Sequence, residues 1–340
     1  MPSVTEAADV VPERYYTHND QRGVTENRSN PTAIHRELTT LGVADGMNVL
    51  EIGTGSGYSG ALLAHLVGDS GRVISLDVDP YMTHWANLLH HQRGLTTIRC
   101  HTTDGTAGWL NGAPYDRLVA WCTPPLLPEA WVDQLAVGSV IVTPLPIAGV
   151  PKLTAVAKIT VTVGDPPRVE EIFHGGYIET GTSPRTDYDV PLRWVDWANR
   201  VPAPSWISTA WRGSDDWLHT GARTALESLL KNAHTELYEG EPLDWASWRT
   251  YAAAIGDPHL TMAALAPDET GLGHSAPGSA AVIRPDGTIL ADASDSPSLA
   301  ALRGWLAGWE DAGRPAPETY QPRLVRDEEN AGWVLRLSPP

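Results

Sequence analysis

The sequence predicts an α/β protein, with a parallel sheet flanked by helices in the first half and a smaller α+β unit after it. Three observations lead there. From about residue 31 to 175, short apolar runs alternate with helical apolar stripes, the pattern of strands joined by crossover helices. One run, Val49–Ile52, passes directly into a glycine-rich turn and then a helical stripe. Beyond about residue 183 the alternation stops, and with 340 residues in all, two domains are expected, at 1–183 and 184–340.

In the first half, Asn30-Pro31 can cap a helix whose apolar face is Ile34, Leu38 and Leu41, with Gly42 ending it. Strands are expected at Asn48–Ile52, Arg72–Leu76, Thr96–Cys100, Tyr115–Trp121 and Ser139–Thr143. Helical stripes between them are Leu62, Leu63 and Leu66, then Met82, Trp85 and Leu89, then Trp131 and Leu135. Lys152–Val163 and Arg168–Phe173 have no helix between them, which predicts an antiparallel pair at the sheet edge. Four prolines between 181 and 215 read as an irregular connector. Helical patterns follow near 215–233, 243–254 and 297–312, with hairpin signals around Pro285-Asp286-Gly287 and at Tyr320–Leu337.

Composition narrows the function classes. The net charge is −17, from 24 basic against 41 acidic residues, which disfavours phosphate backbones and anionic lipid surfaces as partners. Neither a secretory leader nor an apolar run of about 18 residues is visible, and two cysteines cannot build a disulfide framework, so a cytoplasmic protein is expected. The 21 Arg against 3 Lys, and 14 Trp against 1 Phe, read as genomic bias.

The sharpest chemical signal is Val49-Leu50-Glu51-Ile52-Gly53-Thr54-Gly55-Ser56-Gly57-Tyr58. Glycines at 53, 55 and 57 allow a tight turn and a close approach of backbone to ligand. Their spacing is tighter than the Gly-x-Gly-x-x-Gly that cradles a pyrophosphate. Asp77 lies 20 residues after Gly57, at the end of the next strand, where a carboxylate can accept from both ribose hydroxyls. A nucleoside ligand without phosphates fits best, S-adenosyl-L-methionine being the common one; a nicotinamide dinucleotide is the alternative. Thr103-Asp104-Gly105 follows the third strand, where a loop would flank an adenine, although Asp-Gly alone also reads as a turn. The expected cofactor set is Glu51, Gly53, Thr54, Gly55, Ser56, Gly57, Asp77, Asp104 and Gly105, in a Rossmann-like methyltransferase fold.

These segments resemble the protein-L-isoaspartate O-methyltransferase family. So do Gly71–Asp77, Ala113–Val119, Leu127–Leu135 and Gly138–Leu145. The ordered set covers roughly residues 25–160. The resemblance implies methyl transfer from S-adenosylmethionine to an isoaspartyl carboxylate, followed by loss of methanol to a succinimide. It also implies that Ser29, in Ser29-Asn30-Pro31, hydrogen-bonds the acceptor carboxylate; a helix-capping hydroxyl is the alternative role.

Two departures stand out. The family's glycine-rich, apolar loop before that serine is replaced by the polar Gly23-Val24-Thr25-Glu26-Asn27-Arg28, and about 150 residues follow the methyltransferase segment. The combination resembles the branch that accompanies ATP-grasp ligases in making macrocyclic ribosomal peptides (graspetides). That resemblance implies a macrocyclised precursor peptide as substrate and an aspartyl ester that closes to an aspartimide, with isoaspartate as a further product. The C-terminal residues would then recognise the peptide. Repair of isoaspartyl residues in damaged proteins is the alternative.

The remaining residues carry little chemistry. His84, His90 and His91 share a helix without carboxylate or thiol partners at ligand spacing, so no metal site is expected. Cys100 and Cys122 read as inert. Leu299, Leu302, Trp305, Leu306 and Trp309 form a helical stripe expected to pack in a core.

Overall fold

A computed structural model describes residues 2–19, 23–25, 29–162, 166–214, 216–231 and 234–340. Two compact units emerge: 1–145, 155–185 and 323–335 form one, and 146–154, 186–322 and 336–340 the other. The change of unit near 185 lies beside the expected boundary at 183, but each unit also takes a segment from across it.

The first unit opens with α1 (Val4–Val10) and α2 (Glu13–Thr17), then the two-residue ladder of β1 (His18–Asn19) with β2 (Gly23–Val24). Helix α3 (Pro31–Leu41) follows the expectation closely. Asn30 accepts from the Thr32 amide, Gly42 ends the helix at φ 64°, and Ile34, Leu38 and Leu41 are buried. Then come β3 (Asn48–Ile52), α4 (Tyr58–Val67), β4 (Arg72–Asp77), α5 (Pro80–Gln92), β5 (Ile98–Thr102) and β6 (Tyr115–Ala120). The short β7 (Leu127–Pro128) and α6 (Glu129–Asp133) precede β8 (Leu135–Pro146), β9 (Thr154–Thr160) and β10 (Arg168–His174). The sheet order is β10-β9-β8-β6-β3-β4-β5. Strands β5, β4, β3, β6 and β8 run parallel, and β9 and β10 close one edge as the expected antiparallel pair. The chain steps outward from β3 to β5, then returns to the other side of β3 as β6. That reversal opens a crevice beyond the carboxyl ends of β3 and β6.

Two expectations shift. The third strand starts two residues later than expected, at Ile98, because Gly94 at φ 71° and Leu95 are still turning out of α5. The third helical stripe is cut short because Leu135 opens β8 and pairs with Tyr115.

The second unit holds β11 (Trp197–Asn199), β12 (Ser205–Thr209), α7 (Asp216–Lys231), β13 (His234–Leu237), α8 (Trp245–Ala254), β14 (Leu260–Ala264), β15 (Thr270–Ala276), β16 (Ser279–Ile283), β17 (Thr288–Ala291) and α9 (Pro297–Asp311). Its seven strands are ordered β11-β12-β14-β15-β16-β17-β13, each neighbour antiparallel. Ala280 and Val282 pack against Ala222, Ala225, Leu226 and Leu229 of α7. The alternation of a strand turns Ser279 to the other face, where its Oγ accepts the Ser298 amide at 3.0 Å at the start of α9. The expected connector at 181–215 thus contains an edge hairpin, with Pro202 and Pro204 in its turn, where no ladder amide is needed. The last strands, β18 (Gln321–Asp327) and β19 (Gly332–Ser338), lie mostly in the first unit, where β19 pairs with β7 through Trp333 and Leu127. Leu299, Leu302, Leu306 and Trp309 are buried as expected, while Trp305 stays half-buried.

Candidate active site

The crevice at the carboxyl ends of β3, β4 and β6 widens into a cavity. Its floor is the glycine turn after β3, where Gly53, Gly55 and Gly57 adopt φ of 96°, 50° and 85°. Gly57 caps α4, and a Cβ there would lie 2.9 Å from the Ala86 Cβ, so the close packing of α5 as well as the backbone conformation requires glycine. Ser29, Gly53, Thr54, Gly55, Ser56, Asp77, Asp104 and Gly105 all line the cavity.

Asp77 is the tether of that turn. Its Oδ2 accepts the Gly55 amide at 3.0 Å and its Oδ1 the Asp79 amide at 3.0 Å. Burial raises its pKa above the usual carboxylate range, and those two amides oppose the rise. Asp104 accepts from the Thr106 amide at 2.9 Å and from the Thr106 hydroxyl at 2.7 Å, which fixes the loop after β5. A Cβ on Gly105 would lie 2.6 Å from Ile52 Cγ2, and its carbonyl accepts the Trp131 indole at 2.8 Å.

Two of the expected cofactor residues, Glu51 and Gly57, are not among the cavity's lining residues, and Glu51 is fully buried. Its carboxylate accepts from Ser59 Oγ at 2.5 Å, Ser75 Oγ at 2.6 Å and Trp121 Nε1 at 2.9 Å. It ties α4, β4 and the end of β6 together beneath the cavity. Desolvation pushes its pKa up, against those three donors.

Ser29 precedes the cap of α3. Asn30 accepts the Thr32 amide at 2.8 Å, so the helix does not need the Ser29 hydroxyl. Of the divergent loop before it, Thr25 lines the cavity, its amide donating to the Thr17 carbonyl at 2.9 Å, while Glu26, Asn27 and Arg28 lie outside the described residues.

Several lining residues were not expected from the sequence. Glu13 and Thr17 arrive from α2, and Ile178–Gly181 arrive because Thr123 exchanges backbone hydrogen bonds with Ile178 and Thr180, at 2.7 and 2.9 Å. The lining contains four carboxylates (Glu13, Asp77, Asp104 and Glu179) and no Lys, Arg or His among the described residues. Such a cavity repels phosphates and favours a cationic ligand. A second depression shares Ser29, Trp121 and Ile178 with the cavity and adds Asn30, Arg36 and Tyr177. Its base is set by Glu37, which is fully buried; Tyr177 donates to Glu37 Oε1 at 2.5 Å and Arg36 Nη2 donates to it at 3.1 Å. Burial lifts Glu37 to about 6 despite those donors. The Arg36 guanidinium also lies 4.4 Å over the Phe173 ring.

Of the remaining candidates, Cys100 is buried, and its thiol is pushed up to about 12 by burial and by Glu51, which makes it a poor nucleophile. His90 packs in the core, where burial depresses its pKa to about 4, whereas His84 and His91 face solvent.

A profile of the protein-L-isoaspartate(D-aspartate) O-methyltransferase family matches residues 5–164. A protein-L-isoaspartate O-methyltransferase of Methanocella arvoryzae is 35% identical over 127 residues, which span 37% of this chain and 68% of the relative. Its counterpart from Methanococcus maripaludis strain C6 is 36% identical over 100 residues, 29% of this chain and 47% of the relative. The chain thus spans about half the length of several curated relatives it matches. A solved protein-L-isoaspartate O-methyltransferase aligns over 100% of this chain and 95% of its own, at TM-score 0.50 and 15% identity, a likeness of fold. By the extent and identity of these matches, the chain belongs to the protein-L-isoaspartate O-methyltransferase family.

Proposed function

We propose that the chain is an S-adenosylmethionine-dependent carboxyl O-methyltransferase acting on an aspartyl-type side chain of a peptide. The observation that carries this reading is the pairing of an anionic cavity with a depression bearing Arg36, joined at Ser29. A sulfonium-bearing nucleoside is cationic and lacks phosphates, so it suits four lining carboxylates where a dinucleotide would be repelled. The cofactor, when bound, supplies an electrophilic methyl group. Asp77 keeps lone pairs for the ribose hydroxyls beyond those used by Gly55 and Asp79, and Gly55 and Ser56 let the backbone approach. Asp104 would flank the adenine from a loop already fixed by Thr106.

The acceptor needs no strong base, because a carboxylate is nucleophilic at neutral pH. What it needs is alignment and a counter-charge in a site lined by carboxylates. Ser29 donates a hydrogen bond to the acceptor carboxylate, and Arg36, oriented by Glu37, offsets its charge. The resulting ester loses methanol when the following backbone nitrogen attacks its carbonyl, giving an aspartimide that persists or opens to isoaspartate.

The finer reading is that the peptide is a macrocyclised ribosomal precursor, made with an ATP-grasp ligase, and that the C-terminal unit recognises it. The polar sequence at Gly23–Arg28 supports it, since that loop departs where a peptide acceptor would be held. The net charge of −17 supports it too, because a macrocycle whose acidic side chains are consumed in cross-links is repelled less than its linear form. Repair of isoaspartyl proteins is the second reading, favoured by the chain's membership of the protein-L-isoaspartate O-methyltransferase family. Parallel assays with cyclised precursor, linear precursor and a generic isoaspartyl peptide separate them. Ester formation and methanol release on the cyclised form, with the linear form disfavoured most at low salt, is the expected result. Turnover of the isoaspartyl peptide alone would overturn the macrocycle assignment.

A further inference from the structure

The second unit contains a cluster that the methyl-transfer reading does not use. Asp257 and His259 sit in the turn that leads into β14, and His274 lies on β15, whose Cα partner across the ladder is Leu260. One ligand atom from each of the three residues lies within 4.8 Å of the other two. The His259 and His274 rings stack at 5.0 Å and 24°, and His259 Nδ1 is 3.4 Å from Asp257 Oδ1. The backbone beneath is fixed, because the Ser275 amide donates to the His259 carbonyl at 3.0 Å and the His259 amide to Asp257 Oδ1 at 2.8 Å.

We propose that Asp257, His259 and His274 form a binding site for a divalent transition-metal ion of zinc-like chemistry. Two imidazoles and one carboxylate are a donor set that suits zinc and its neighbours. Zn–N bonds of about 2.0–2.1 Å place tetrahedral ligand atoms about 3.4 Å apart, within reach of rotation by three side chains none of which is fully buried. The outer contacts point the same way. His274 Nδ1 is 3.0 Å from Ser298 Oγ at the start of α9, and the Ser298 amide is anchored on Ser279. A histidine whose Nδ1 is held in this manner offers Nε2 as the ligand atom, the arrangement that orients metal-binding imidazoles. Trp305 packs edge-on against His274 at 5.5 Å, walling one side. Three protein ligands leave a fourth position open to water. The bound ion would clip the entry of β14 to β15 and stabilise the second unit.

The sequence led us to expect no metal site anywhere in the chain, on an argument that considered only His84, His90 and His91. The present set escapes that reasoning because Asp257 and His274 are 17 positions apart and meet only through antiparallel pairing. The test uses untagged, chelator-treated full-length protein titrated with Zn2+ alone by calorimetry, with Co2+ absorption and Trp fluorescence as second readouts. One equivalent is expected, together with a rise in Tm, quenching by Co2+ from the proximity of Trp305, and a visible spectrum of low-symmetry Co2+. Asp257→Asn, which keeps the shape of the side chain, and His274→Ala should each weaken Zn2+ at least tenfold and abolish the Tm rise. Their metal-free Tm reports whether the fold is intact, and S-adenosylhomocysteine binding should be unchanged in both. Absence of stoichiometric Zn2+ binding by the parent protein, or binding unaffected by Asp257→Asn, overturns the proposal.

Discussion

Asp77 Oδ2 accepts the Gly55 amide at 3.0 Å, so the carboxylate expected to hold a ribose also sets the shape of the glycine turn. Removing it withdraws an acceptor from the ligand and releases the loop that the ligand rests on. Asp77→Ala should therefore weaken S-adenosylhomocysteine by at least one charge-assisted hydrogen bond, about 1.5–3 kcal/mol, or roughly tenfold to a hundredfold in Kd. Calorimetry returning the parental Kd would refute the ribose assignment.

Ser29 is released from capping by Asn30 and borders both the cavity and the Arg36 depression. Ser29→Ala should lower kcat for the acceptor by about tenfold to a hundredfold, in the range of one lost hydrogen bond to a charged group, and leave S-adenosylhomocysteine affinity within twofold. Unaltered kcat with a lowered Tm would return Ser29 to a structural role.

Arg36 places its charge at the outer depression, away from the lining of the inner cavity. Arg36→Gln should raise the acceptor KM severalfold, with the difference shrinking as salt screens the charge, and should leave cofactor affinity alone. Arg36→Lys should recover only part, since an ammonium lacks the planar fork that spans Glu37 and a carboxylate. A KM indifferent to the charge at 36 would remove Arg36 from the acceptor site.

Glu37 has a folded pKa of about 6 against an ordinary value of 4.5, the rise being caused by burial. The sign follows directly. Its contribution is fully present below about pH 4.5 and is lost as pH rises through 6, by about 2 kcal/mol at the upper end. Glu37→Gln should therefore gain stability relative to the parent between pH 4.5 and 7.5. Denaturant titrations at those two pH values check this; a constant difference would mean that Glu37 is ionised throughout.

Glu51 is fully buried among three donors, one of them the Trp121 indole. Glu51→Ala should lower the unfolding free energy by the cost of orphaned buried donors, about 1–3 kcal/mol, seen as a fall in Tm also in the absence of cofactor. A normal Tm with lost cofactor binding would make Glu51 a direct ligand instead.

The sequence by itself determined the parallel sheet, the cap and stop of α3, the edge pair β9–β10, and the residues of the glycine turn. Each is encoded locally: by the spacing of apolar residues, by Asn30-Pro31 and Gly42, or by glycines that take positive φ. Even the helices of the second unit were legible, because amphipathic spacing is a short-range signal. Tertiary structure decided what depends on residues far apart in the chain. Only the fold puts Glu51 under the cavity floor, brings Ile178–Gly181 to its rim through Thr123, and sets Arg36 beside Tyr177 over Glu37. It also extracts the β11–β12 hairpin from a proline-rich stretch and assembles Asp257, His259 and His274 across a ladder. Local preference fixes which element a residue enters. Which carboxylate is buried and which arginine faces it is set by long-range pairing and desolvation, which no short window of sequence contains.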